Sequence, residues 1–308
     1  MRFAPAIGLV LALTAGCSGL VQSDARKPAA THYSPAFVKD RKLFVFPFEG
    51  NEVAIGLASE LRSMTFSASG LSMYGVAESY SSGKPALVAL AIKPGGVSPL
   101  LSSMPFVSVY GLAVDASEGM GIISATLERD GVRECGLFRF DIKNGGIEHI
   151  VDNLSGRCDD FLSSWSHLSI SPDGSRIVGT VGKGQLGIID LRSRRVEKRW
   201  SGTAAAWSPD GKWIAALTFE AHMQVDLVRL GDLSVQRRLG PDDSGSLEWS
   251  PDSRYLLLWD AGLCGIGTGY VGTLQVLDIK TGQRMSVNSS KCKVDLMTIG
   301  WVSDDVLK

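Results

Sequence analysis

The stretch SPDGSRIVGT occupies residues 171–180, SPDGKWIAAL residues 208–217 and SPDSRYLLLW residues 250–259. One chain thus writes nearly the same turn, followed by nearly the same apolar run, three times. Pro presets φ at the first turn position, Asp bonds back to the backbone, and Gly or Ser accepts the last dihedral. A short apolar strand leads in, a more apolar strand leads out, and the tight spacing demands a hairpin.

Looser copies begin at Met64 (MTFSASGLSMYGVA), Gly111 (GLAVDASEGMGIISA) and Ile299 (IGWVSDDVLK). Aligned, the six place Phe66, Val114, Ile170, Trp207, Trp249 and Trp301 in one column. Every member is large or β-branched, as an inward-facing core position requires, so the column is expected to pack the core and not to form a ligand platform. The next position holds Ser67, Asp115, Ser171, Ser208, Ser250 and Val302.

A second element alternates with the first. FRFDIKNGG (138–146), LQVLDIKTGQ (274–283), VALAIKPGG (88–96), GIIDLRSRR (187–195) and the weaker DLVRLGDLS (226–234) each run an alternating strand into a Gly/Asn/Ser turn. A polar fourth strand follows, so one unit is four strands. Units recur every roughly 40–55 residues, close to the period of propeller blades. Six turns of the first kind face only five of the second, because the last copy runs out at Lys308. Residues 42–58, KLFVFPFEGNEVAIGLA, supply the missing outer strands. The expected fold is an all-β, six-bladed β-propeller over residues 41–308, with four-stranded blades and the last blade closed by strands from both termini. Such closure removes exposed sheet edges.

The paired turns resemble the TolB-type propeller repeat, a relative of WD repeats, over residues 44–308 and best over 166–287. TolB proteins also carry an N-terminal α/β domain, for which this sequence leaves no room, so their partners are not carried over.

Residues 1–16 read as an export signal: Arg2, an apolar stretch, then small residues. Thr14, Ala15 and Gly16 before Cys17 resemble the lipobox of bacterial lipoproteins, although Leu13 stands one place early. The resemblance implies a lipidated Cys17, and Ser18 after it implies the periplasmic side of the outer membrane. Residues 17–40, Pro/Ala-rich after the anchor, are expected to form a flexible tether.

Cys17 aside, Cys135, Cys158, Cys264 and Cys292 remain, and an even number in an exported chain suggests two bridges. Of the three connectivities, blade layout favours Cys135–Cys158 and Cys264–Cys292 on the loop face; buried free thiols are the alternative. The loops they would staple hold Asp159, Asp160, Trp165, Asp260 and Tyr270, the candidate binding face.

Chemistry is sparse. There is no G-x-S-x-G, P-loop, H-E-x-x-H or calcium loop. His32, His149, His167 and His222 show no ligand spacing, and the net charge of −1 gives no reason to expect nucleic acid. No catalytic residue, metal or cofactor is expected. The reading is a monomeric, non-catalytic envelope module that binds a protein or envelope component. The alternative is a periplasmic hydrolase or lactonase with a divalent cation in the central channel.

Overall fold

The computed structural model describes residues 32–39, 42–48, 53–56, 61–78, 85–92, 100–103, 106–152, 167–182, 184–219, 223–241, 244–263, 270–290 and 298–307. They form a β-propeller of four-stranded antiparallel blades. One sheet holds β4 (Leu61–Phe66), β5 (Ser72–Glu78), β6 (Pro85–Ala91) and β7 (Leu100–Ser103). The next holds β8 (Phe106–Val114), β9 (Met120–Arg129), β10 (Val132–Asp141) and β11 (Ile147–Asp152). Then come β12 (Ser169–Ile170), β13 (Arg176–Gly182), β14 (Gln185–Asp190) and β15 (Arg195–Ser201). They are followed by β16 (Ala204–Trp207), β17 (Trp213–Phe219), β18 (Met223–Arg229) and β19 (Ser234–Pro241). After these lie β20 (Ser244–Trp249), β21 (Tyr255–Leu263), β22 (Tyr270–Asp278) and β23 (Arg284–Ser290). In each of these sheets the strands lie in sequence order.

The remaining sheet has the order β24 (Thr298–Ser303), β1 (Tyr33–Lys39), β2 (Lys42–Val45), β3 (Val53–Gly56). Here the sequence reading needs correcting. The strand beside β24 is β1, paired from Tyr33↔Ser303 to Val38↔Thr298, and β2 pairs with β1 instead. Residues 33–39 read by sequence as part of the tether, yet Ala36, Phe37 and Val38 are buried. Their Pro/Ala-rich context hid a strand. Pro35 cannot donate to a ladder, but its carbonyl still accepts from Phe46 N at 2.9 Å.

The repeated turn explains its own sequence. In SPDG the serine and aspartate side chains staple the hairpin: Ser171 Oγ donates to Asp173 Oδ1 (2.6 Å) and accepts from Arg176 N (2.9 Å), while Asp173 Oδ1 accepts from Ser175 N (3.0 Å). Ser208 with Asp210, and Ser250 with Asp252, repeat the pattern. Asp115 stands in the serine's place and does the same work, accepting from Gly119 N, Met120 N and the Ser117 hydroxyl. The second turn type works likewise: Asp278 Oδ1 accepts from Lys280 N and Thr281 N.

These bonds hold the Asp173 carboxyl below its usual range, first through the Ser171 hydroxyl and then through Ser175 N–H. Asp173→Ala should therefore cost about 1–2 kcal/mol at neutral pH, read by urea denaturation. Because the folded pKa is depressed, this stability is present above the unfolded value. The deficit should fade as pH falls through the folded pKa. A pH-independent deficit would contradict the stapling role.

Each hydrophobic cluster draws on two neighbouring sheets. Val178 and Ile188 meet Trp207 and Ile214. Leu217 and Leu227 meet Trp249 and Leu258. Tyr255 and Trp259 meet Phe37 and Trp301, and Val38 and Val302 meet Met73 and Ala77. The core thus sits between blades, as alternate side chains of a pleated strand require. Across the β24–β5 junction, Gly70 adopts φ +67° and Ser303 N donates to its carbonyl at 3.0 Å. A Cβ at Gly70 would sit 2.8 Å from Ser303 N, so the turn needs glycine for both reasons.

Two of the segments that lead to the paired cysteines, LERDGVREC (127–135) and DAGLCGIGTGYVG (260–272), read as long loops by sequence, yet their described residues are largely strand. LERDGVREC is the end of β9, a tight turn and the start of β10. Asp130 (φ 53°) and Gly131 (φ 77°) make that two-residue connection, the Asp-Gly signal of a twisted hairpin. On either side of Cys264 the strands reach further than expected: β21 extends to Leu263 and β22 begins at Tyr270.

Candidate functional site

The innermost strands β4, β8, β12, β16, β20 and β24 surround a central channel with two connected compartments. The narrow one, about 120 Å³, lies at the turn end, rimmed by Ala68, Ala116, Pro172, Pro209 and Pro251. The wide one, about 490 Å³, lies where the inner strands begin, between Leu61, Ser63, His167, Ala204, Ser246 and Thr298. Thr65, Phe66, Leu168, Ser169 and Glu248 border both. In an antiparallel blade the connections between blades arrive at the inner strand's start, so the wide end opens on the inter-blade loop face.

The aligned column has two roles. Trp207, Trp249 and Trp301 are buried, as core residues should be, yet all six members of the column also line the narrow compartment. The expectation of core alone is too narrow. Trp249 Nε1 donates to Ala206 O (3.0 Å) and Trp301 Nε1 to Glu248 O (3.5 Å), so each indole ties its strand to the previous blade. Trp207 receives a different tie, its backbone N–H donating to Ser169 Oγ at 3.0 Å. Its Nε1 is buried without a hydrogen-bond partner.

The position after the column does not supply channel ligands. Ser67, Ser171, Ser208 and Ser250 are buried turn staples, and the Asp115 carboxylate is occupied by its own turn. The position before the column serves the channel instead. It holds Thr65, Ala113, Ser169, Ala206, Glu248 and Gly300. Strand alternation sends it to the channel side, and one acid among small or uncharged residues was the available signal.

Glu248 is half-buried on β20, and its carboxyl is pushed up to about 7 because the surrounding ring removes it from water, against a smaller opposing effect of the Trp249 N–H. His167, with φ 54°, stands exposed at the wide compartment; partial loss of water around its ring lowers its pKa from the usual imidazole value, which leaves it neutral above neutrality. Tyr110 also lines this space, its hydroxyl 3.3 Å from Thr126 Oγ1. Among the described residues no group of three His, Cys, Asp or Glu side chains could hold a metal ion.

The structure brings few of the sequence candidates together. Cys135 is buried on β10 with its Sγ 3.5 Å from Thr126 Oγ1. Cys17, Cys158, Asp159, Asp160, Trp165, Cys264 and Cys292 lie outside the described residues. Asp260 and Tyr270, expected in a loop, are paired strand residues, Asp260 with Thr273 and Tyr270 with Leu263. His149 stacks on Phe138 with ring centroids 4.8 Å apart, away from the channel.

Fold and channel together place the chain in the β-propeller class. Among solved structures it is similar to TolB from Acinetobacter baumannii, with a TM-score of 0.61 and 14% identity over 88% of this chain. The match spans 66% of that TolB, just under two thirds of its length. A TolB-type protein from Agrobacterium tumefaciens gives 0.59 and 18% identity, covering 85% of this chain and 91% of that one. An oligogalacturonate lyase from Vibrio parahaemolyticus gives 0.51 and 14%, covering 80% and 70% respectively. The TolB likeness read from the repeat therefore holds at the level of fold. No protein-family model matches the sequence, and the comparison with curated proteins gave no match.

Proposed function

We propose that this chain is a non-catalytic, lipid-anchored envelope protein. It is a closed propeller of six blades, exported through residues 1–16 and held by Cys17 at the periplasmic side of the outer membrane. As a monomer, it binds a protein or envelope component through its loop face. The observation that carries this reading is the position of the wide compartment, which opens on that face. The count of six blades is supported by the four-stranded sheets and by the register of β24 with β1. Disulfides Cys135–Cys158 and Cys264–Cys292 would hold the loops around the mouth, and a preparation of the exported protein should then offer none of these thiols to an alkylating label.

Rigid rings that present loops and a channel serve many functions, so fold likeness supports the scaffold and not the partner. The alternative, an enzyme with a divalent cation in the channel, needs several oxygen ligands converging there. No specific observation favours it: Asp115 is committed to its turn, and Glu248 is the only carboxylate among the described lining residues.

The test uses immobilised soluble protein, residues 18–308, exposed to detergent-solubilised envelope. One component should be retained in near-equal amount and displaced by free protein. Failure to retain anything overturns the reading, and a tightly held stoichiometric divalent ion in the purified protein would favour the enzyme.

A further inference from the structure

Glu248 is the only charged side chain among the described residues that line the two compartments at pH 8. Among the described side chains the elements around it offer no cation; Arg62 on β4 is the one basic residue of the inner strands. At pH 8 His167, ahead of β12, is neutral, and Tyr110 on β8 is the one further titratable group among the described lining residues. The lining from β4, β16 and β24 is Ser, Thr, Ala, aliphatic and aromatic. A carboxylate in such an enclosure is costly unless something pairs with it. The neighbouring walls are Phe66, Trp207, Trp249 and Trp301, whose ring faces attract cations.

We propose that the channel is a receptor site for one organic cation, an alkylammonium or guanidinium group, paired with Glu248 and walled by these aromatic rings. It rests on the binding reading above and names the chemistry of what enters. A divalent metal is a poorer fit, because one carboxylate falls short of the six to eight oxygens that calcium takes. An anion is repelled, and a neutral guest leaves the carboxylate unpaired. The raised carboxyl means that the empty channel is largely protonated below neutrality. Entry of a cation therefore displaces a proton, and affinity falls as pH falls.

The test is a titration of intrinsic tryptophan fluorescence, since three of the aromatic walls are tryptophans. The probes are n-butylammonium, n-butylguanidinium, neutral n-butanol and Nα-acetyl-lysine methylamide, at matched ionic strength. The cations should saturate and butanol should not. Affinity should be weaker by roughly tenfold or more at about pH 5.5 than at about pH 8. Glu248→Gln should weaken cation binding by roughly tenfold or more and abolish the pH dependence. Glu248→Asp, which keeps the charge, should retain part of it, and near-UV circular dichroism of each variant reports that the fold is intact. Tighter binding of the lysine derivative than of butylammonium points to a partner's side chain; the reverse points to a free amine. Equal binding of butanol, unchanged binding by Glu248→Gln, or no saturable binding overturns the proposal. These outcomes are separate from the envelope retention experiment: amines bound without any retained partner sink the partner reading alone, and a retained partner without amine binding sinks this inference alone.

Discussion

A chain that starts at Lys42 should not refold cooperatively, whereas one that starts at His32 should unfold in a single transition. The difference between them includes β1, which pairs with β24 on one side and β2 on the other. Without it, β24 loses its ladder, β2 keeps only the one to β3, and the cluster that joins Phe37 to Tyr255, Trp259 and Trp301 is opened. Phe37 alone stacks on Phe44 at 5.1 Å and Phe46 at 5.4 Å and tilts against Trp259 at 6.2 Å. Phe37→Ala in the longer chain should cost about 3–5 kcal/mol, a large part of a typical domain's stability. Urea denaturation followed by tryptophan fluorescence measures both effects. An unchanged midpoint and slope for the chain from Lys42 would show that β1 is dispensable.

Glu248→Gln should stabilise the protein above neutrality. The folded carboxyl is raised to about 7 from 4.5, so the fold prefers it protonated. The contribution of the acid is fully present below the unfolded pKa and is lost as pH rises through the folded one. Glutamine resembles the protonated acid and does not titrate. The two proteins should therefore match at about pH 4, and by about pH 8 the variant should lead by about 2–3 kcal/mol. Denaturation curves at the two pH values decide it. A lead that does not change with pH would mean that the glutamate titrates normally. Together with the loss of cation binding, this is the expected trade of stability for a functional charge.

The repeat was legible because its reasons are local. Ser-Pro-Asp-Gly closes a hairpin with its own side chains, as Ser171 and Asp173 do, so the turn can be recognised without knowing what surrounds it. The strands after it announce themselves as apolar runs because both their faces are covered by neighbouring blades, as with Ile214, Ala215, Ala216 and Leu217. β1 was missed for the opposite reason. Tyr-Ser-Pro-Ala-Phe-Val-Lys has a proline and no turn signal, and only the distant β24 makes it a strand.

The channel was less legible than the blades. The column of large residues reads as core from its pattern alone, and it is core. That it also borders the channel follows from the closing of sheets around an axis, which brings together residues spread from Thr65 to Trp301. Glu248 follows the same logic. A glutamate beside a tryptophan is unremarkable in a row of letters, and its raised pKa arises from the ring that encloses it.

By itself, then, the sequence determined the strands, their turns and the four-stranded unit, since each depends on hydrogen bonds and burial patterns among near neighbours. Tertiary structure alone decided which strand completes the β24 sheet, where the channel widens and which acid stands inside it. Those properties depend on contacts between residues far apart in the chain, and no local pattern encodes them.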